Sequence, residues 1–250
     1  MEIIAVIPAR FASTRLPGKP LLAETGRPLI QHVVEAAQKA SRIERIIVAT
    51  DDVRIADAVQ KFGGEYAMTR ADHPSGTDRV AEVAASIPEA RIIINLQGDE
   101  PEIRGDALDL VVSILEADPS ASMATLATPI RSEAVYRDPA CVKVVCSQSG
   151  HALYFSRSPI PYHREGLPNA ASGAVIAYLH LGLYAYRREF LLQFASMPPS
   201  LLESTEKLEQ LRVLEAGHRI AVGIIEEPGI GIDTPEDYRG FVQRWNSQAH

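Results

Sequence analysis

Ile3-Ile4-Ala5-Val6-Ile7-Pro8-Ala9-Arg10-Phe11-Ala12-Ser13-Thr14-Arg15-Leu16-Pro17-Gly18-Lys19-Pro20 opens as an apolar, β-branched run and turns at Pro8 into a polar loop. The run reads as a buried strand stopped by the proline, and the loop extends to about Arg27. Pro28 then suits a first helical position, with Ile30, Val33, Val34 and Ala37 on one helical face. Outward from there, strands Arg45 to Ala49, Glu65 to Met68 and Ile92 to Leu96 alternate with helices from Thr50-Asp51-Asp52 to about Phe62, Ser75 to about Ser86, and Asp106 to Ala117. Alternating β and α elements predict an α/β fold with a mostly parallel, doubly wound sheet. After about residue 120 the pattern changes. Met123 to Pro129, Val142 to Val145, His151 to Phe155 and Leu181 to Tyr186 are strand-like with few helices between them, which predicts a smaller antiparallel insertion over approximately 130–200. Leu201 to Ala216 reads as one helix ended by Gly217, Ile220 to Ile225 as a strand, and Thr234 to Trp245 as a closing helix. No repeat or linker divides residues 1–250, so a single domain carrying the insertion is expected.

The composition is that of a folded protein: 250 residues, 46% hydrophobic and 23% charged, with 16 Gly and 17 Pro. A chain of this length buries roughly three quarters of its unfolded surface, enough for a core without disulfides or a structural metal. The formal charge of −7 has the wrong sign for nucleic-acid binding by bulk electrostatics. No apolar stretch reaches the roughly 18 residues of a membrane span. Cys141 and Cys146, five apart on a strand-like stretch, point to opposite faces, which argues against a disulfide. The expectation is a soluble protein of a reducing cytoplasm.

In an open parallel sheet, ligands sit beyond the carboxyl ends of the strands, so those loops carry the candidate chemistry. The first places Arg10, Arg15 and Lys19 within ten residues of an otherwise acidic chain, with Ser13 and Thr14 between them. Clustered cations, hydroxyls and backbone amides suit a polyphosphate, although a solvated basic loop has the same composition. It is not a Walker A motif, because Gly18-Lys19 is followed by proline. In the second loop, Asn95-Leu96-Gln97-Gly98-Asp99-Glu100-Pro101, glycine allows close backbone approach and Asp99 projects from a strand end. Such a carboxylate suits Mg²⁺, and equally suits a turn. In the third, Asp233 either caps the closing helix or completes a metal site with Asp99. Ser75, Gly76, Thr77 and Arg79 lie at a helix start whose amides and hydroxyls can meet a base or simply cap the helix. In the insertion, Arg157 can pair bidentately with a carboxylate.

The strings IPARFASTRLPGKPL (7–21), VATDD (48–52), MTRADHPSGTDR (68–79), NLQGDEP (95–101), ALYFSRSPIP (152–161), HLGLYAYR (180–187), LEQLRVLEAG (208–217) and GIDTPEDY (231–238) occur in this order along the chain. Together they closely resemble the 3-deoxy-manno-octulosonate (Kdo) cytidylyltransferase family, also called the CMP-Kdo synthetases. The resemblance runs from Ile3 to about Tyr238 and is weakest from Tyr162 to Tyr178. It implies a Rossmann-like nucleotidyltransferase core, a cytoplasmic homodimer, Mg²⁺ as cofactor, and CTP and Kdo as substrates for lipopolysaccharide assembly. Carried over residue by residue, it implies that Arg10, Ser13, Arg15 and Lys19 hold the CTP phosphates. The Ala9 backbone, Ser75, Gly76, Thr77, Arg79 and Gln97 would surround the cytidine, and Asp99 and Asp233 would bind magnesium. Arg157, His180, Tyr184, Glu209 and Gln210 would form the sugar pocket, with part of the insertion making the dimer contact.

The implied reaction joins two anions: the C2 hydroxyl of an acidic sugar attacks the α-phosphorus while pyrophosphate leaves in line. Lys19, Arg10, Arg15, Asp99 and Asp233 are therefore the expected catalytic group. Two alternatives stand beside this reading. One is cytidylyl transfer to another acidic sugar, 8-amino-Kdo or a sialic acid, the latter opposed by the RLPGKPL string. The other is a catalytically silent sugar-nucleotide-binding protein, opposed by the joint presence of Lys19, Asp99 and Asp233.

Overall fold

Between Glu2 and Ala9 the chain forms β1, which pairs in parallel with β2 (Arg45–Thr50) on one side and β4 (Ala90–Asn95) on the other. The computed structural model describes residues 2–12, 16–168 and 172–248. These divide into two units: residues 1–109 with 229–250, and residues 110–228.

In the first unit β3 (Glu65–Met68) adds to β2, giving the parallel order β3-β2-β1-β4. Helices α1 (Leu29–Ala37), α2 (Val53–Lys61) and α3 (Gly76–Ala85) make the crossovers. Ile3 to Ile7, Ile47 to Ala49 and Ile92 to Ile94 are buried, as expected of parallel strands covered on both faces. Asp52 accepts a hydrogen bond from the Arg54 amide and caps α2, and Ser75 caps α3 in the same way through the Asp78 amide. Pro8 does not end the first strand, which runs on to Ala9. The ladder to β4 ends at Val6↔Asn95, so beyond it only β2 is paired and the missing proline amide is tolerated. Because β2 and β4 flank β1 on opposite sides, the strand order reverses at β1/β4, the position at which open sheets of this kind bind ligands. A final helix, numbered last below, spans Pro235–Gln248 and buries Tyr238 and Phe241 against Leu29 and Ile232.

The second unit takes in most of α4 (Gly105–Ala117), then β5 (Ala121–Ile130), α5 (Glu133–Arg137), β6 (Lys143–Cys146) and β7 (Ala152–Ser156). These are followed by β8 (Ala177–Arg187), α6 (Arg188–Ser196), α7 (Leu201–Glu206), α8 (Gln210–Glu215) and β9 (Arg219–Ile224). The Pro235–Gln248 helix is thus α9. Antiparallel pairing occurs here, in β5 with β8, β6 with β7 and β6 with β8, whereas β5 and β9 are parallel. Two helices, α5 and α6, lie in the stretch where the sequence pattern predicts few. Arg187 donates to the carbonyls of Leu115 and Asp118, satisfying acceptors left open at the end of α4, and to that of Ala121 at the start of β5.

The single helix expected over Leu201 to Ala216 is broken. Lys207 adopts a left-handed conformation (φ 56°, ψ 49°) that ends α7. In a continuous helix the Glu206 carbonyl would accept from the Gln210 amide; here it accepts from Arg157 Nε at 2.8 Å. A long-range partner has replaced a helical one.

Candidate active site

Lys19 begins a single 3₁₀ turn, Lys19–Leu21, immediately after Gly18. Gly18 is left-handed (φ 67°), and a side chain there would press the Phe11 ring at 3.3 Å, so glycine answers two constraints at once. Leu16 and Leu22, on either side of the turn, pack on the cluster of Leu29, Ile232, Tyr238 and Phe241. That packing brings the first loop to the chain around residue 232. Lys19 Nζ donates to Asp99 Oδ2 at 2.8 Å and to the Ile232 carbonyl at 2.7 Å, and lies 3.6 Å from Asp233 Oδ1. One ammonium thus stands between the two carboxylates expected to hold a metal.

Those carboxylates, 134 positions apart in sequence (233 − 99), meet through backbone. The Ile232 amide donates to the Asp99 carbonyl at 2.8 Å. Gly229 lies so close to the neighbouring loop that a Cβ would sit 2.8 Å from the Glu102 carbonyl oxygen. Arg244 of α9 clamps the Glu102 carboxylate bidentately, at 2.9 and 2.5 Å. Asp233 does not cap the helix. Thr234 Oγ1 accepts from the Asp237 amide, and Asp237 Oδ2 accepts from the amides of Asp233 and Thr234. The Thr234 hydroxyl, which donates to Asp237 Oδ2 at 2.8 Å, and after it those amide bonds hold the Asp237 carboxyl below its usual range. Burial, and more weakly the Asp99 charge, pushes the neighbouring Glu100 up to about 7.

No three acidic, histidine or cysteine side chains form a metal cluster among the described residues. Two aspartates already gathered around one cation are a donor set that fits Mg²⁺, which takes one or two protein carboxylates and completes its shell with water and substrate phosphate.

Around this centre the structure places the other expected residues of the first unit. Ala9 is the buried last residue of β1, and Arg10 is exposed, its Nη2 donating to the His73 carbonyl at 2.8 Å. Ser13 and Arg15 lie outside the described residues. Ser75 Oγ accepts from the Asp78 amide and donates to Asp78 Oδ2, so the capping role is real. Thr77 Oγ1, Asn95 and Gln97 form a side-chain chain with links of 3.4 and 3.5 Å. Gly98 approaches the end of β1 closely, with its Cβ position 3.1 Å from the Pro8 carbonyl. Arg79 is fully buried, donates to Thr69 Oγ1 and sits 3.1 Å from Asp51 Oδ1; its Nε has no hydrogen-bond partner. Burial pushes its guanidinium below the usual value.

The second unit holds the expected sugar residues. His180 is neutral: burial pushes it down to about 3. Its Nε2 lies 3.1 Å from Thr125 Oγ1, whose own proton goes to the carbonyls of Leu181 and Leu183, so the imidazole is the donor. Those two carbonyls come into reach at an irregularity where β8 slips register against Thr125/Leu126. Tyr184 lies tilted beside His180, with ring centroids 5.4 Å apart, and burial followed by the charge of Glu209 raises its phenol. Glu209 is the first residue before α8, and the buried Gln210 has an Nε2 without a hydrogen-bond partner. Arg157 gives Nε to the Glu206 carbonyl and Nη1 to the Pro139 carbonyl at 3.0 Å.

Two residues went unnoticed in the sequence. Lys143, in the apolar string CVKVVC, is fully buried; a lone lysine in such a string was the available signal. Glu206 had none, because its neighbours read as ordinary helix.

The cytidylyltransferase family model matches residues 4–220. The chain is 52% identical to the 3-deoxy-manno-octulosonate cytidylyltransferase of Pelobacter propionicus over 95% of this chain and 94% of that protein. It is 49% identical to the protein of the same name from Geobacter sulfurreducens, covering 98% and 99%. Among solved structures, that of CMP:2-keto-3-deoxy-manno-octonic acid synthetase complexed with CTP superposes with a TM-score of 0.91 at 45% identity, covering 99% of this chain and 100% of that one. A cytidylyltransferase from Leptospira borgpetersenii, 18% identical with a TM-score of 0.63 over 97% and 85%, shares the fold.

Proposed function

The chain belongs to the cytidylyltransferase family, and from that premise we propose that it is a CMP-Kdo synthetase, transferring cytidylyl from CTP to the C2 hydroxyl of Kdo with release of pyrophosphate. The observation that carries the reading is Lys19 set between Asp99 and Asp233. A binding module needs cations for phosphate but has no use for two carboxylates at the same point.

In this reading the hydroxyl oxygen forms a bond to the α-phosphorus as the bond to the pyrophosphate oxygen breaks. The residues at hand lower the electrostatic cost of bringing anions together. Lys19 supplies a positive charge that its own packing holds in place, and Arg10 projects a second from the end of β1. Asp99 and Asp233 are the residues that would hold Mg²⁺, which when bound acts as a Lewis acid on phosphate and lowers the pKa of a ligated hydroxyl. The amides at the start of α3 and the Thr77–Asn95–Gln97 chain offer donors and acceptors to the cytosine and ribose. Arg157 is the candidate partner for the sugar carboxylate, with Nη2 left over from its two carbonyl bonds.

The wider setting belongs to the same proposal: Mg²⁺ dependence, supply of an activated sugar for lipopolysaccharide, work in the cytoplasm where CTP is available, and a homodimer. No helix among the described residues is long and apolar enough to cross a membrane. The relatives' names favour Kdo over the other acidic sugars and over a silent protein.

The test is pyrophosphate release with CTP, Mg²⁺ and Kdo, 8-amino-Kdo or sialic acid in turn, with Asp99→Ala alongside. Release with Kdo, lost in the variant, is the expected result. Release with another sugar alone moves the specificity, and silence with all three removes the enzyme reading.

A further inference from the structure

Arg157 is held from two directions by groups that the reaction itself does not require. The Glu206 carboxylate accepts from Ser156 Oγ at 2.6 Å and from the Arg157 amide at 3.0 Å, fixing the backbone. The Glu206 carbonyl, freed by the helix break at Lys207, accepts from Nε of the same arginine. Lys143, fully buried, donates to the Arg157 carbonyl at 2.7 Å and to the carbonyls of Asp138 and Cys141 at 2.9 and 2.5 Å. With the Pro139 carbonyl on Nη1, the guanidinium is tied at two of its three nitrogens and its main chain at both ends.

A long, flexible arginine loses rotamer freedom on gripping a ligand, and one already fixed has lost it beforehand. On the guanidinium itself the fixing groups are two backbone carbonyls, weaker partners than a substrate carboxylate for the remaining N–H groups, while the half-buried Glu206 carboxylate grips only the Arg157 amide and the Ser156 hydroxyl. A buried lysine spent wholly on three carbonyls is a costly arrangement for a strand, and it makes sense where the carbonyl of residue 157 must be held still. We propose that Glu206 and Lys143 are positioning residues for Arg157, preorganising its guanidinium for the carboxylate of the acidic sugar. The inference rests on the function proposed above.

Steady-state kinetics of the full chain test it, with CTP and Kdo varied separately in the wild type, Arg157→Ala, Glu206→Ala, Glu206→Gln, Lys143→Met and the Arg157→Ala/Glu206→Ala double variant. Glu206→Ala raises the Kdo KM about tenfold, the scale of a lost charge-assisted hydrogen bond, and leaves the CTP KM within about twofold. Glu206→Gln keeps one acceptor oxygen and raises it about two- to threefold, and this variant decides the matter where the alanine protein fails to fold. The double variant is no worse for Kdo than Arg157→Ala alone, because Glu206 acts through that arginine. Lys143→Met shifts the Kdo KM in the same direction. A wild type inactive with every sugar overturns the functional reading and this inference with it. An active wild type whose Arg157→Ala form is impaired, while Glu206→Ala and Glu206→Gln bind Kdo normally or lose both substrates equally, overturns the positioning role alone.

Discussion

Lys19 shows how much one side chain can be asked to do. Its ammonium is largely buried and satisfied by Asp99, Asp233 and the Ile232 carbonyl, so it joins three loops as well as supplying charge. Removing it leaves two carboxylates facing each other without their cation, and takes a fixed positive charge away from the place where negative charge builds up in the reaction. Lys19→Ala is expected to lower kcat by about 10²- to 10³-fold, the usual loss for one such donor, with a smaller rise in the CTP KM. An unchanged kcat would refute the role. The residue was legible in the sequence from the Gly18-Lys19 loop after an apolar strand. Its partners were not, because nothing in the spacing says that the Ile232 carbonyl points at it.

At the scale of elements, the break between α7 and α8 is the feature that local preference opposes. Leu201 to Ala216 carries good helix formers and no glycine or proline, so it reads as one helix. The left-handed Lys207 pays a penalty of about 1 kcal/mol, met by tertiary bonds to Glu206. Lys207→Gly removes that penalty, and although glycine also raises the entropy of the unfolded chain, the net expectation is stabilisation of up to about 1 kcal/mol. Lys207→Val, stiff at Cβ and poor in this region, is expected to destabilise by a similar or larger amount. Denaturant unfolding of the three proteins measures both, and a glycine variant weaker than the valine one contradicts the account.

For the molecule as a whole, acid stability reports on the half-buried His180. His180 keeps a pKa of about 3 when folded and regains about 6.5 when unfolded. Below about pH 6.5 the unfolded chain therefore binds a proton that the folded chain refuses, and stability falls as pH drops from about 6.5 towards 3. Asp118, held at about 2 by Ser120 and His151, adds its own loss below about pH 4. The His180→Phe protein lacks the first contribution, so its melting temperature should fall less steeply than that of the wild type between pH 7 and 4. The difference between the two curves isolates this group from the other titrating side chains, and parallel curves would show that the fold does not hold His180 neutral.

What the sequence determined by itself is what short-range physics encodes. Apolar runs of four to six residues, helix caps at Asp52 and Ser75, and the glycine and proline punctuation gave the β/α alternation of residues 2–117 and the strand-end loops that carry Lys19 and Asp99. Tertiary structure alone decided which distant groups meet. It set Asp233 beside Lys19 through the Ile232–Asp99 backbone bond and left helix capping to Thr234, moved the Glu206 carbonyl from a helical partner to Arg157, and spent a buried lysine on three carbonyls. Such contacts join residues tens of positions apart or oppose local propensity. A pattern of hydrophobicity and turn residues fixes where elements begin and end, whereas the partners of a buried charge depend on which loops the packed core brings together.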